Sequence, residues 1–571
     1  MRVVHSPLSD RALRWLLVVI AIVRIPGVFW GLPNVDGWDD DGVAPRDALS
    51  GLVETYSPGQ FYIYPPLQLL IIAAATLPFT LWRLTKVASW NPAGLVHAFV
   101  DPTTMTVYAV VARLLAIVFA ALTVVAIYDG VDRLAGRRAA RLACLFAACH
   151  ATFTYYGQTS NLDGPLLFWC TLAWRELVRV SLGDRTRWLS AAFAVAAALA
   201  TKDQGYAVLA FPLVFAVVHA VVASPVEQRG ATVVAIARAG GLALVALLLV
   251  DGAFFNPSGF IARLKTLSGS ASQDFHDYVP GLRGSLAIAT HALRRFPQFL
   301  PGEIGVFAVA GVVLLALDKR VTRSRGAYAA SFLAPLASLS FLILFNFVAR
   351  RTQERFLLAP TFFLIVPAAQ AVDAFTRRFP RWRLAAALAM CVVAARGAML
   401  VVAVEMSMLE DPRLAVEEFL RTYGSPGDRV EVYGNNVYLP RIPAGFRGER
   451  VAPTDPVTRP VCPSLTEVGD AYENLHARSP EWVVVPYAWA WQWLDDPLDE
   501  RDGRMSTPLQ KRRLHRVETQ RYFRELVRGE RGYELVGAGR ATGFWRDVDM
   551  HNSLNRRVFL LRRQEAVPVR K

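Results

Sequence analysis

The sequence predicts a polytopic α-helical membrane protein that carries a soluble α/β domain at its C-terminal end. Three observations lead there. Apolar runs near twenty residues recur from the N-terminus to about residue 404, and runs of that length cross a bilayer. Only 19% of the 571 residues are charged while 54% are hydrophobic, whereas soluble chains are about a quarter charged. From about Glu405 onward the pattern changes to short strand-like runs and a charged helix, as in a soluble α/β domain.

The spans are expected at about 13–30, 104–128, 137–156, 162–181, 188–201, 204–223, 231–253, 300–317, 327–348, 354–375 and 383–404. The first has no small-residue cleavage site after a short apolar core, so it reads as an anchor and not a removable signal. The stretch 66–81 is apolar too, and loop charge decides how to place it. Short connections carry Arg133, Arg137, Arg138 and Arg141; Arg175, Arg179, Arg185 and Arg187; Lys319, Arg320, Arg323 and Arg325; and Arg377, Arg378, Arg381 and Arg383. Basic loops stay cytoplasmic. All four share the side of the N-terminus, with Arg11 and Arg14, only if 66–81 does not cross. It is therefore read as an interfacial or re-entrant helix.

The result is a chain of about 11 spans in the inner or plasma membrane, with its N-terminus cytoplasmic. The membrane domain covers 1–404, with a first outer loop at 31–103, and an extracytoplasmic domain covers 405–571. The segments 35–60, 158–163, 201–205, 251–298 and 350–355 then meet at the outer face. In the soluble part, a helix at 414–423 stops at Gly424, strands fall at 429–433, 482–486, 533–536 and 558–561, and a helical stripe runs over 512–527.

The net charge of +15 sits in loops between spans, with no basic stripe interleaved with aromatics, which argues against nucleic-acid binding. Cys144, Cys149, Cys170 and Cys391 fall in spans and Cys462 has no soluble partner, so no disulfide framework is expected. The histidines show no metal-ligand spacing.

Chemistry concentrates on the outer side. Asp36, Asp39, Asp40 and Asp41 follow the first span. Adjacent carboxylates raise one another's pKa, so one can stay protonated while its neighbour acts as a base. Glycosyl transfer to a hydroxyl needs one such base. The structural alternatives are a solvated loop or a carboxylate site for a divalent cation, Mg or Mn. Arg350, Arg351 and Arg355 sit at an outer turn against the positive-inside bias. Guanidinium pairs with phosphate in a bidentate way, and interfacial snorkelling is the alternative. Lys202 either pairs with Asp203 or reaches a phosphate. Asp163, one turn into a span, needs a partner or water and is read, with Gln158 and Asn161, as an acceptor or metal contact. His276 and Lys265 are expected at the surface of a long outer loop. Tyr64, Pro65 and Pro66 begin the 66–81 helix, where proline suits a first turn.

These features, in this order, resemble GT-C membrane glycosyltransferases, and most closely glycosyltransferase family 39, which includes protein O-mannosyltransferases and the lipid A aminoarabinose transferase. The acidic residues after the first span, then Tyr64-Pro65-Pro66-Leu67, resemble the family's first loop. The run from Tyr155 to Asp163 is similar to its second acidic outer turn, and Arg350 through Leu358 to its late Arg-aromatic-Leu-Leu signature. Tyr522-Phe523 through Gly532-Tyr533, ending Arg557-Val558-Phe559, resembles the tail of bacterial members. The resemblance implies a GT-C-like fold and a sugar donor on a polyprenyl phosphate. It also implies a catalytic carboxylate among Asp39, Asp40 and Asp41, with Asp40 favoured, and a leaving phosphate held by Arg350, Arg351 or Arg355. The 66–81 helix would line the path by which the lipid enters. The acceptor would be a lipid, glycan or protein hydroxyl, attacked with inversion.

Two departures stand out. An Asp triplet replaces the usual Asp-Glu pair, and Tyr64 stands where the aminoarabinose branch has lysine, which argues against that sugar. Trp489, Trp491 and Trp493 with Asp495 resemble an oligosaccharyltransferase Trp-Trp-Asp motif only superficially. The rival readings are a transporter or flippase of a lipid-linked sugar and a non-catalytic scaffold. A transporter would place ionisable residues near the midplane, in repeated halves; here they cluster at one face with no internal repeat. Asp-to-Asn substitution separates the scaffold from an enzyme.

Overall fold

The computed structural model describes residues 6–39, 42–43, 45–269, 276–317, 325–453, 462–495, 504, 517–539, 554 and 557–564. Asp40 and Asp41, Lys319, Arg320 and Arg323, and the 512–516 end of the expected helical stripe lie outside them.

The expected spans appear as helices. Seven are long and apolar enough to cross a membrane among the described residues: Leu67–Leu84, Pro102–Leu134, Gly205–Val222, Val226–Val250, Gly326–Ala349, Glu354–Arg378 and Pro380–Tyr423. The others miss that standard for visible reasons. Arg11–Val28 and Asp163–Ser181 carry several charges, Trp188–Thr201 has only 14 residues, and the expected 137–156 span is broken at His150 into Arg137–Ala148 and Ala151–Tyr156. The chain is a multi-pass helical membrane protein.

The helix Leu67–Leu84 is long enough to span by itself, but its neighbours show where it lies. Ile72 packs with Ala112, Thr80 is hydrogen-bonded to Tyr108, and Arg83 pairs with Asp101. It therefore runs antiparallel to only the first third of Pro102–Leu134. Further along that long helix, Arg113 donates to the carbonyls of Val28 (2.9 Å) and Trp30 (2.7 Å), capping the end of Arg11–Val28, while Tyr128 meets Asp10 at its start.

The two ends differ chemically. At the Asp10 end, Arg141 pairs with Asp10 (2.9 Å), Arg133 and Arg179 with Asp129 (3.0 and 2.7 Å), and Arg377 with Asp373 (3.0 Å). These cations come from three of the basic loops. The Trp30 end gathers the first loop, the turns at Asn161 and Lys202, and the 251–301 segment, joined by the contacts described below.

The C-terminal domain holds a six-stranded sheet in the order β3-β2-β1-β4-β6-β5: β1 Arg429–Val432, β2 Arg447–Ala452, β3 Thr466–Gly469, β4 Trp482–Pro486, β5 Tyr533–Gly539 and β6 Val558–Arg563. β1 pairs in parallel with β2 and β4, and β6 runs antiparallel between β4 and β5. All of β4 is buried and its side chains alternate between two cores: Val483 and Val485 face one, Trp482 and Val484 the other, as strand geometry requires. β2 and β3 escape the sequence pattern because Arg447, Glu449 and Arg450 interrupt one and the other is a four-residue edge strand. The helix Pro412–Tyr423 starts on an Asp411 cap and ends at Gly424.

Candidate active site

The first loop is fixed on both sides of its acidic run. Asp39 is 2% exposed and its carboxylate accepts from the Tyr155 hydroxyl at 3.0 Å. Gly42 forms an antiparallel bridge with Asn161, and the Val43 amide donates to the Ser160 carbonyl at 3.2 Å. A Cβ at Gly42 would lie 2.9 Å from Ser160 Oγ and 3.2 Å from the Asp39 carbonyl, so the two turns approach closely here. The first loop and the turn at Asn161, far apart in the chain, are thereby brought together. Within the second turn, Asn161 accepts from the Asp163 amide (2.9 Å), and Gln158 donates to Glu405 (2.7 Å) at the end of the last membrane helix.

Asp163 begins the helix Asp163–Ser181 and is 4% exposed. Its partner is Lys202, 9% exposed, whose Nζ lies 2.7 Å from the carboxylate. The expectation that Lys202 pairs with its neighbour Asp203 is thus corrected. Lys202 has extended backbone, φ −158° and ψ 131°, where successive side chains point to opposite sides, and Asp203 turns to Arg263. That guanidinium is 1% exposed and also reaches Asp251 at 3.3 Å. Burial pushes the Asp203 carboxyl above the usual carboxylate range, with Arg263 opposing the rise. Tyr62 lies under the same guanidinium, 5.3 Å from ring centre to Arg263 Cζ.

Beside this network opens a cavity of about 510 Å³, within the usual range for ligand sites. Its polar lining includes Tyr64, Lys202, Asp203, Gln204, Ser268 and Arg351. Its rim includes Ile63, Tyr206, Leu264 and Val348, all apolar or aromatic and all more than 40% exposed. Lysine has three donors; Asp163 takes one, and the same side chain lines the cavity.

Arg351 is placed by a local irregularity. The span Gly326–Ala349 ends in a π-helical turn, Leu342–Asn346, a feature often found at functional sites. Asn346 donates to the carbonyls of Arg351 (2.8 Å) and Phe356 (3.2 Å), stitching the turn. Arg350 takes a left-handed conformation, φ 51°, which aims successive side chains apart. Arg350 reaches the Tyr278 carbonyl at 3.1 Å, while Arg351 lines the cavity. Burial lowers the pKa of both guanidinium groups. Arg355 stacks on Phe356 at 4.6 Å, outside the cavity lining. The structure thus brings Tyr64, Lys202 and Arg351 into one site, links Asp163, Asn161 and Asp39 to it, and leaves Arg350 and Arg355 beside it. Pro65 and Pro66 are buried at the start of Leu67–Leu84. His276, expected at the surface, is 5% exposed, whereas Lys265 is exposed. Among the described residues no three His, Cys, Asp or Glu side chains form a metal cluster.

Arg263, Asp251, Arg113 and Glu405 were not singled out from sequence. Arg263 is one cation in a long loop with no motif around it. Glu405 had a usable signal: an acid where an apolar span stops.

Residues 103–250 match the family described as dolichyl-phosphate-mannose-protein mannosyltransferase, a segment that includes the turn at Asn161 and Lys202. No curated protein matches the sequence. Among solved structures the chain is similar to ArnT from Cupriavidus metallidurans bound to undecaprenyl phosphate, at 13% identity and a TM-score of 0.47, over 96% of this chain and 97% of that one. It is also similar to the oligosaccharyltransferase AglB from Archaeoglobus fulgidus with an inhibitory peptide and a dolichol phosphate, at 14% identity and 0.43, over 83% and 69%. The S. cerevisiae protein O-mannosyltransferase Pmt1-Pmt2 complex bound to the sugar donor is similar at 16% identity and 0.30, over 49% and 36%.

Proposed function

We propose that this chain, with its GT-C membrane core, moves a sugar from a polyprenyl-phosphate donor to an acceptor hydroxyl on the extracytoplasmic face, with inversion. The observation that carries the proposal is the cavity: cationic Lys202 and Arg351 inside, exposed apolar side chains at its rim. A phosphate on an isoprenoid tail has the same two-part chemistry. The charged head meets Arg351 and Lys202, while the tail lies along the exposed Ile63, Leu264 and Val348 side chains. Fixed cations at the phosphate stabilise the charge that develops as the glycosidic bond breaks.

The base is a carboxylate of the 39–41 run. Asp39 is buried and held by Tyr155, which fits a supporting role, and Asp40 is proposed to take the acceptor proton. Asp163 is neutralised by Lys202, so it orients that cation and is not offered as a metal ligand. Gln158 and Asn161 shape the turn against which the acceptor would rest. The segregation of cations supports the proposed orientation, with the Asp10 end cytoplasmic and the cavity and C-terminal domain outside. The test is consumption of a radiolabelled polyprenyl-phosphate sugar by the purified chain in liposomes supplied with a membrane extract. Asp40→Asn abolishes it, and full turnover by that variant would remove the assignment.

A further inference from the structure

The C-terminal domain grips the first loop immediately before its acidic run. Trp38 is 1% exposed, and two cations of the domain lie on its ring, Arg413 at 4.4 Å and Arg441 at 5.4 Å. Its indole N–H donates to the Leu439 carbonyl at 3.0 Å. Arg441 also donates to the Leu32 carbonyl at 2.7 Å, and Asn436 donates to Asp36 at 2.5 Å. Trp30, at the end of the first membrane helix, donates to Asp411 at 3.0 Å. Both cations are themselves held: Arg413 by a two-point pair with Asp411, Arg441 by one with Glu417.

The grip continues toward the chemistry. Trp30 stands edge-on to both Trp38 (6.2 Å) and Tyr155 (6.1 Å), and Tyr155 holds Asp39. An unbroken series of contacts therefore runs from the soluble domain, through two tryptophans and a tyrosine, to the first carboxylate of the triplet. A guanidinium over an aromatic face is attracted by the ring's negative face, most strongly when desolvated; Trp38 and Arg413 are buried and Arg441 is half-buried. A solvated loop tether would not need buried tryptophans.

We infer that the C-terminal domain sets the catalytic loop, with Trp38, Arg413 and Arg441 as positioning residues for transfer. The inference rests on the proposal that the 39–41 carboxylates serve the reaction. It gives the domain a part in the chemical step, separate from any capture of acceptor.

The test uses the full chain in liposomes, with a radiolabelled polyprenyl-phosphate sugar and a membrane extract as acceptor source, and compares Trp38→Ala, Trp38→Phe, Arg441→Gln and Asp40→Asn. Trp38→Ala lowers kcat about tenfold or more per folded molecule while KM for the donor stays within about threefold, because misplacement of about 1 Å costs up to 10²-fold. Trp38→Phe keeps the ring face but not the N–H and recovers most of the loss, and Arg441→Gln falls between them. Amide hydrogen exchange over 31–39 speeds up in the order of lost activity. If Trp38→Ala does not fold, Trp38→Phe and Arg441→Gln carry the comparison. An inactive Asp40→Asn beside unchanged kcat and unchanged exchange in the clamp variants overturns the inference and leaves the proposed function standing. A fully active Asp40→Asn removes the proposed base instead; the exchange data then decide alone whether the domain holds the loop.

Discussion

Lys202 and Asp163 offer the sharpest separation of a structural role from a donor-binding one. Their 2.7 Å pair is almost fully enclosed, at 9% and 4% exposure. Lys202→Met removes the cation and leaves a buried carboxylate alone, which typically costs about 3–5 kcal/mol. The double variant Asp163→Asn with Lys202→Met removes both charges, so most of that loss returns. Turnover follows a different rule. If Lys202 also faces the leaving phosphate, its loss removes an oxyanion contact, usually about 10²–10³-fold in kcat, and Asp163→Asn cannot restore it. Thermal unfolding in detergent and donor consumption in liposomes are measured on the same four proteins. Stability recovered without activity in the double variant is the expected pattern. Recovery of both would show that Lys202 only neutralises Asp163, and an unchanged unfolding temperature in Lys202→Met would contradict the buried pair itself.

Three further outcomes are expected. Arg351→Ala lowers donor turnover by about 10²-fold, while Arg350→Ala, outside the cavity lining, lowers it far less; steady-state kinetics on the two variants checks the difference. Tyr155→Phe removes one hydrogen bond to the buried Asp39, costing about 1 kcal/mol of stability or somewhat more, read as an earlier thermal transition. Asp203 has a raised pKa in the folded protein, so the native state binds its proton more readily than the unfolded chain. Its contribution to stability therefore grows as pH falls through the raised value toward the ordinary carboxylate range, and Asp203→Asn should flatten that part of a stability-versus-pH curve.

Much of the architecture is legible from the chain because long-range order here follows local rules. Apolar length marks helices such as Val226–Val250, and a short continuous apolar run marks β4. The charge on short loops anticipates which ends of the helices gather together, as Asp10, Arg141 and Arg179 show. Span counts are less secure, because Asp163–Ser181 carries Arg175, Glu176 and Arg179 and the helix break at His150 has no proline or glycine to announce it.

The site is legible as a set of residues but not as a set of pairs. Arg350, Arg351 and Arg355 look equivalent in sequence, yet a π-helical turn and one left-handed residue give only Arg351 to the cavity. Lys202 and Asp203 are neighbours that choose partners 39 and 60 positions away, a choice made by helix packing. Trp38 and Trp30 carry no motif in the sequence, because the domain that covers them lies more than 370 residues later.

The central claim is that the cavity between Tyr64, Lys202 and Arg351 receives the donor's phosphate. The most direct measurement is a cryo-electron microscopy structure of the chain in lipid nanodiscs with a polyprenyl phosphate. The phosphate is expected within hydrogen-bonding distance of the Lys202 ammonium and the Arg351 guanidinium, with the tail leaving past Ile63 and Val348. A phosphate resolved elsewhere, with this cavity holding only water, would contradict it.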